Sequence, residues 1–373
     1  MLRILAAVLV ALPLRAAAEA PPPPPVAARA WLLVDFASGQ TIAGRNADER
    51  LEPASLAKLM TAYLAFDALA KKALAPEQTV RVSERATRAG GSRTFLTPAK
   101  AATVTELLHG MIVQSGNDAT IALAEALGGS EDGFVQMMNR AAQRLGLKDT
   151  HFTNATGWPD PKQRSSARDL AALAVALIRD FPDDYPLYST REFRYNGVNQ
   201  QNRNRLLWLD PNVDGVKTGY TEGAGYCLVA SAKRGERRLV SVVLGANSDG
   251  ARVQESQKLL NYGFQFFDSV RLYEKGQAVS TLRVWKGAEH ALKAGLADDL
   301  HLVLPRGEAR KLKAELVSEQ PLVAPVSAGQ KVGTVRVSLD GRPLGEYPVV
   351  ALETVPVAGI LGRAWDSLRL WFE

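Results

Sequence analysis

Three short runs of residues could together activate a serine: Ser55-Leu56-Ala57-Lys58, Ser115-Gly116-Asn117 and Lys217-Thr218-Gly219. A serine hydroxyl is a weak nucleophile until a neighbouring base takes its proton. Lysine can be that base when burial and nearby cations pull its pKa toward neutrality. Ser55 and Lys58 stand three apart, so on a helix they share a face and the amine reaches the hydroxyl. Ser115 offers a hydroxyl that can pass a proton between Lys58 and a departing amine, and Asn117 an amide to grip substrate. Lys217 adds a cation that depresses Lys58 and attracts an anionic substrate, while Thr218 can bond a carboxylate. Gly219 lets a substrate backbone lie against a strand edge. The backbone N–H groups of Ser55 and Tyr220 would form the oxyanion hole. Each motif alone is common by chance; their order, each on a suitable element, joins them into one site.

From Pro53 onward Leu56, Leu59, Met60, Tyr63, Leu64 and Ala68 recur at helical spacing, with Ser55 at the helix start. Residues 105–114 and 118–127 read as two helices with Ser115-Gly116-Asn117 at their junction. Further helices are expected over 131–145 and 166–178, with a loop at 154–161 between them. Residues 31–36 and 41–44 form an opening hairpin, and 213–219, 226–232 and 239–246 read as successive strands. The fold class is therefore α+β, an antiparallel sheet with a helical subdomain over residues 28–267. From 268 to 353 short β segments dominate: Val335, Val337 and Leu339 alternate with Thr334, Arg336 and Ser338 before Asp340-Gly341, as in a small all-β domain.

Residues 354–373 end in a helix with Ile360, Leu361, Ala364, Trp365, Leu368, Trp371 and Phe372 on one face. Arg363, Asp366, Ser367 and Arg369 take the other, and Leu370 breaks the pattern. The segment is too short and too charged to span a bilayer, but it suits a helix lying in a membrane interface. Docking on the protein's own surface is the alternative.

The 373 residues suffice for two domains with a sizeable core. Arg3, an apolar run over 4–14 and Ala16-Ala17-Ala18 read as a secretory signal over residues 1–18. Residues 19–27 follow as a stiff polyproline spacer with no core to join, folded structure starting near Ala28. The net charge of +6 includes Arg3 and Arg15 of that leader, and no basic run carries interleaved aromatics, so nucleic acid is not a partner. Cys227 is the only cysteine, which excludes an intramolecular disulfide. His109, His151, His290 and His301 have no ligand spacing, and neither a metal nor a cofactor is expected.

Beyond the three motifs, the runs Glu52-Pro53-Ala54-Ser55-Leu56-Ala57-Lys58-Leu59-Met60-Thr61, Asn154-Ala155-Thr156-Gly157, Ser165-Ser166-Ala167-Arg168-Asp169-Leu170 and Lys258-Leu259-Leu260-Asn261-Tyr262-Gly263-Phe264 are family-specific. On these residues the chain resembles the low-molecular-mass penicillin-binding proteins, specifically the membrane-attached D-alanyl-D-alanine carboxypeptidases of bacteria, over nearly its whole mature length. The resemblance implies a penicillin-binding/β-lactamase-like transpeptidase domain, a small β domain and a terminal amphipathic helix at the inner-membrane surface, facing the periplasm. It implies removal of the terminal D-alanine from peptidoglycan stem pentapeptides through an acyl-enzyme on Ser55, with β-lactams acylating the same serine. It carries Arg252 onto a position that helps hold the substrate carboxylate; a solvated arginine at a helix start is the alternative. Many relatives have a histidine where this chain has Tyr220, which leaves the backbone role intact.

Class A β-lactamases share the serine, lysine and K-T-G but add a loop glutamate that activates the deacylating water. Here Asp160 is the only acidic residue between Asn154 and Arg168, and it sits among prolines as a solvated turn residue. An endopeptidase acting on peptide cross-links would use the same serine chemistry in a different pocket shape. A non-catalytic wall-binding scaffold is disfavoured by the intact motifs.

Overall fold

The computed structural model describes residues 20–371, so the expected leader over 1–18 and the terminal Phe372 and Glu373 lie outside the described residues. Five antiparallel strands form the central sheet in the order Thr41–Arg45, Ala30–Asp35, Arg237–Ala246, Gly225–Arg234, Val213–Thr221. Successive side chains of a strand point to opposite faces. Leu32, Val34, Val229, Val240 and Val242 accordingly join one hydrophobic cluster, and Trp31, Leu33, Leu228, Leu239 and Val243 another. The first cluster holds Lys58–Ala70, Ala167–Asp180 and the helical subdomain; the second holds Asp249–Phe266. Both faces are thus covered, and Val213–Thr221 is left as an edge strand beside the turn that carries Ser55.

Helix starts follow local capping chemistry. Thr103 and Glu106 form a reciprocal capping box ahead of Val104–Val113. Ser130 and Ser166 each accept a backbone N–H at the heads of Glu131–Arg144 and Ala167–Asp180. Asn117–Gly128 starts after Gly116 without a side-chain cap.

Past Phe266 the chain is largely β. A six-stranded sheet includes Lys331–Leu339 and Arg342–Ala351, with Val335, Val337 and Leu339 buried as their alternation requires. Phe267–Tyr273 pairs separately with Leu300–Pro305.

Two expectations need correction. The proline-rich stretch is no free spacer: Val26 is buried in the second cluster, and Tyr262 Oη donates to Pro21 O at 2.7 Å. An extended proline run carries carbonyls with no internal partner, and here the protein surface supplies one. The last helix is shorter than expected, Ile360–Arg369, because Val357 is held in a β-bridge to Gly287 before the helix begins.

Candidate active site

Ser55 lies in a single 3-10 turn, Ala54–Ala57, that runs directly into Lys58–Ala70. Lys58 is buried, and its Nζ lies 3.0 Å from Ser55 Oγ, 2.7 Å from Asn117 Oδ1 and 2.5 Å from Thr156 O. The amide orientation of Asn117 is settled by its other end, since Nδ2 donates to Gly90 O at 2.7 Å. Lys58 therefore faces two groups that only accept and one hydroxyl. A neutral amine has two N–H donors and one lone pair. With both donors on Asn117 and Thr156, the lone pair is left for the Ser55 hydroxyl.

Burial, together with the positive charge of Arg203, lowers Lys58 to about 7, against an opposing pull from Asp118. Lys217, on the edge strand Val213–Thr221, is also buried and held well below its ordinary value, by burial first and then by Lys58, Arg203 and Arg252. The two lysines repel one another. Arg203, which carried no motif signal, is a further cation that lowers both lysines from the cleft wall.

The two backbone positions that set this geometry are left-handed non-glycine residues, Ala54 at φ +48° just before the serine and Ser115 at φ +64°. Such conformations persist only where the surroundings enforce them, and they concentrate at functional sites. One such enforcement is Gly157, at φ +83°, where a Cβ would stand 1.7 Å from Ala54 O. The loop carrying Gly157 is wound around Asn154, whose Oδ1 accepts from the N–H groups of Thr156 (3.2 Å), Gly157 (2.9 Å) and Trp158 (2.9 Å). Asp118, also buried, accepts from the N–H groups of Thr94 and Leu96 and so ties down the facing loop.

Ser55, Ser115, Asn117, Thr218, Gly219, Tyr220 and Arg252 all line one cleft of about 1120 Å³, with Lys58 and Lys217 behind its wall. Ser115 Oγ is buried without a hydrogen-bond partner among the described residues. Both ends of the Asn117 amide are engaged within the protein, so gripping substrate requires exchange of one bond. A Cβ on Gly219 would meet Pro53 O at 3.1 Å, Ala54 Cβ at 3.2 Å and Leu56 Cγ at 3.3 Å. Glycine here lets the edge strand close on the serine turn, a role distinct from the expected contact with substrate backbone. Tyr220 is exposed, its ring 4.4 Å from that of Tyr226.

Arg252 is buried, which excludes the solvated alternative. Its guanidinium donates to Gly219 O at 3.0 Å and to Cys227 O at 3.4 Å, and pairs with Asp249, so it braces the K-T-G strand from behind as well as facing the cleft. Asp160 sits in a turn, its carboxylate accepting from Lys162 N, and does not line the cleft. Glu52 does line it, held by the Thr221 hydroxyl at 3.1 Å. Among the described residues no group of His, Cys, Asp and Glu could hold a metal.

A buried lysine aimed at a serine between a helical subdomain and a sheet edge defines an active-serine enzyme of the penicillin-binding class. Residues 16–248 match the family described as D-alanyl-D-alanine carboxypeptidase, and residues 267–357 match the C-terminal domain of penicillin-binding protein 5. The chain belongs to the D-alanyl-D-alanine carboxypeptidase family and is a serine carboxypeptidase. It is 43% identical over 365 residues to the D-alanyl-D-alanine carboxypeptidase DacC of Escherichia coli, covering 96% of this chain and 91% of that protein. Among solved structures, penicillin-binding protein 5 from Haemophilus influenzae superposes with a TM-score of 0.88 at 39% identity, over 90% of this chain and 99% of that one. Penicillin-binding protein D2 of Listeria monocytogenes in its ampicillin-bound form gives 0.61 at 30% identity, over 65% of this chain and 100% of that one.

Proposed function

We propose that Ser55 is the nucleophile, Lys58 its base and Ser115 the proton relay in removal of the terminal D-alanine from peptidoglycan stem pentapeptides. The observation that carries this is the three-partner environment of Lys58, whose neutral form has its lone pair free only for Ser55. Ser55 Oγ attacks the carbonyl of the penultimate D-alanine as its proton passes to Lys58 Nζ. The N–H groups of Ser55 and Tyr220 receive the oxyanion. The proton then travels through Ser115 to the departing amine as the peptide C–N bond breaks. Water hydrolyses the Ser55 ester, with Lys58 again taking a proton. Thr218 bonds the terminal carboxylate, and Lys217, Arg203 and Arg252 supply a positive field for it. Asn117 holds Lys58 and exchanges a bond to meet the substrate amide.

β-Lactams end in a carboxylate too and acylate Ser55, a reading supported by the ampicillin-bound Listeria relative. In this reading the catalytic domain runs to residue 267, taking in the segment before residue 28 through buried Val26, and the β domain follows over 268–353; the family matches cover 16–248 and 267–357. Export follows from the leader over 1–18, and the enzyme works at the periplasmic face of the cytoplasmic membrane.

The last helix supports peripheral attachment there. It touches the β domain through Asp366, which is buried and accepts from Lys286 N at 2.6 Å, while Arg363, Ser367 and Arg369 stay exposed. Ile360, Leu361, Trp365, Leu368 and Trp371 all point outward and are exposed. A helix docked merely to cover its apolar side would do the reverse; this one offers that side to a lipid interface. No helix of the described residues is long and apolar enough to cross a membrane. Mass spectrometry of products from a pentapeptide muropeptide tests the activity: loss of one alanine residue is expected, and cleavage only of cross-linked dimers would replace this reading with an endopeptidase.

A further inference from the structure

Trp158 is the one large aromatic residue on the loop that abuts Ser55, and none of the chemistry above uses it. Its indole is about half exposed in the cleft wall, yet its backbone is fixed at both ends. Trp158 N donates to Asn154 Oδ1 at 2.9 Å, and Trp158 O accepts from Asn154 Nδ2 at 3.0 Å. The ring rests on two consecutive glycines. A Cβ on Gly90 would lie 3.0 Å from indole Cη2, and one on Gly91 would lie 3.1 Å from Cζ3 and 3.1 Å from Asn117 Nδ2. The same Gly90 accepts from Asn117 through its carbonyl, so the indole belongs to the wall that also holds Lys58.

We infer that Trp158 is a specificity-determining residue, an apolar platform for the side chain of the substrate residue that precedes the two terminal D-alanines. Residues 218–221 of the edge strand Val213–Thr221 line the same cleft, and Gly157 beside Trp158 and Gly219 of that strand both press on Ala54, so the loop and the strand edge flank the serine turn; the strand's backbone can pair with an extended peptide. A peptide seated on that edge lies in the cleft that Trp158 also lines. D-Alanine carries only a methyl group, so the first side chain long enough to cover an indole belongs to the preceding residue. An aliphatic chain of several methylenes gains from burial there, and a rigid, pre-positioned ring takes little ordering entropy from the complex. The inference rests on Ser55 being the nucleophile.

The test compares two substrates, diacetyl-L-lysyl-D-alanyl-D-alanine and acetyl-glycyl-D-alanyl-D-alanine, in the wild type, Trp158→Ala and Trp158→Phe. The platform predicts that the kcat/KM ratio of lysyl to glycyl substrate falls about tenfold in Trp158→Ala. Trp158→Phe, which keeps an aromatic face, should retain most of the ratio. A ratio unchanged in Trp158→Ala overturns the inference whether or not the absolute rates fall, because a merely structural role for the ring weakens both substrates alike. Intact mass after penicillin treatment reports the nucleophile separately: an adduct retained by Ser55→Ala would break the underlying reading and leave the ratio as an independent result.

Discussion

Lys58 is the group whose titration should set the pH dependence of acylation. At its ordinary value of 10.5 only about one amine in 3000 would be neutral at pH 7, whereas at about 7 half of them are. The fold thus supplies roughly a thousandfold more of the basic form at neutral pH, part of which is offset by the weaker basicity that accompanies a lower pKa. Since only the neutral amine can take the serine proton, the acylation rate should rise with pH and level off above about 7. Burial is the larger cause and Arg203 the next. Arg203 is itself exposed, so solvent screens its share. Arg203→Gln should therefore raise the midpoint by about half a pH unit, and added salt should act in the same direction on the wild type. Stopped-flow acylation by a fluorescent penicillin between pH 5 and 9 reads both effects. A flat profile, or a midpoint that moves down in Arg203→Gln, would refute the assignment of Lys58 as base.

Lys58→Met should abolish turnover and alter stability in a pH-dependent way. The folded state holds Lys58 below its unfolded value, so the cost of burying it is fully present below about pH 7 and fades as pH rises toward 10.5. The stability of Lys58→Met relative to wild type should thus be about 3 kcal/mol greater at pH 6 than at pH 9, checked by urea unfolding. Gly157→Ala places a methyl against Ala54 O at a left-handed backbone position and should lower stability by at least about 2 kcal/mol, with loss of penicillin labelling, measured by thermal unfolding and gel fluorescence. Asp366→Ala should free the last helix from Lys286 and speed its removal by protease while penicillin labelling persists. Deleting residues 357–373 should release active enzyme from membranes, and unchanged fractionation would dismiss the anchor.

What could be read from the chain and what could not divide along the distance over which the interactions act. Ser55 and Lys58 meet within one turn, so their spacing carried their relationship, as did the alternation of Val335, Val337 and Leu339. The helices expected over 105–114, 131–145 and 166–178 were legible for the same local reason. Asn117 reaches Lys58 and Gly90 only because the fold brings three distant segments together, and spacing offered no sign that its amide would be spent on them. Arg203 has no motif at all; it reaches the cleft after the hairpin of Glu192–Tyr195 and Val198–Gln201, a pairing the sequence reading did not resolve. Gly219 was singled out for contact with substrate backbone, but the neighbour that crowds a side chain there is the serine turn. Arg252 and Asp366 show the same limit from the other side: each looks like a solvated charge on a helix, and each is buried because a backbone group from another element needs it. The loop residue Asn154 belonged to a recognisable run, yet its service as the hub for three backbone N–H groups emerges only from the folded turn.

The central claim is that Ser55 forms the acyl-enzyme. Intact-protein mass spectrometry after brief exposure to benzylpenicillin, paired with D-alanine release from a D-alanyl-D-alanine pentapeptide, addresses it directly. The wild type should carry one penicilloyl adduct and release D-alanine, and Ser55→Ala should do neither while unfolding as cooperatively as the wild type. Stoichiometric labelling that persists in Ser55→Ala would contradict the account.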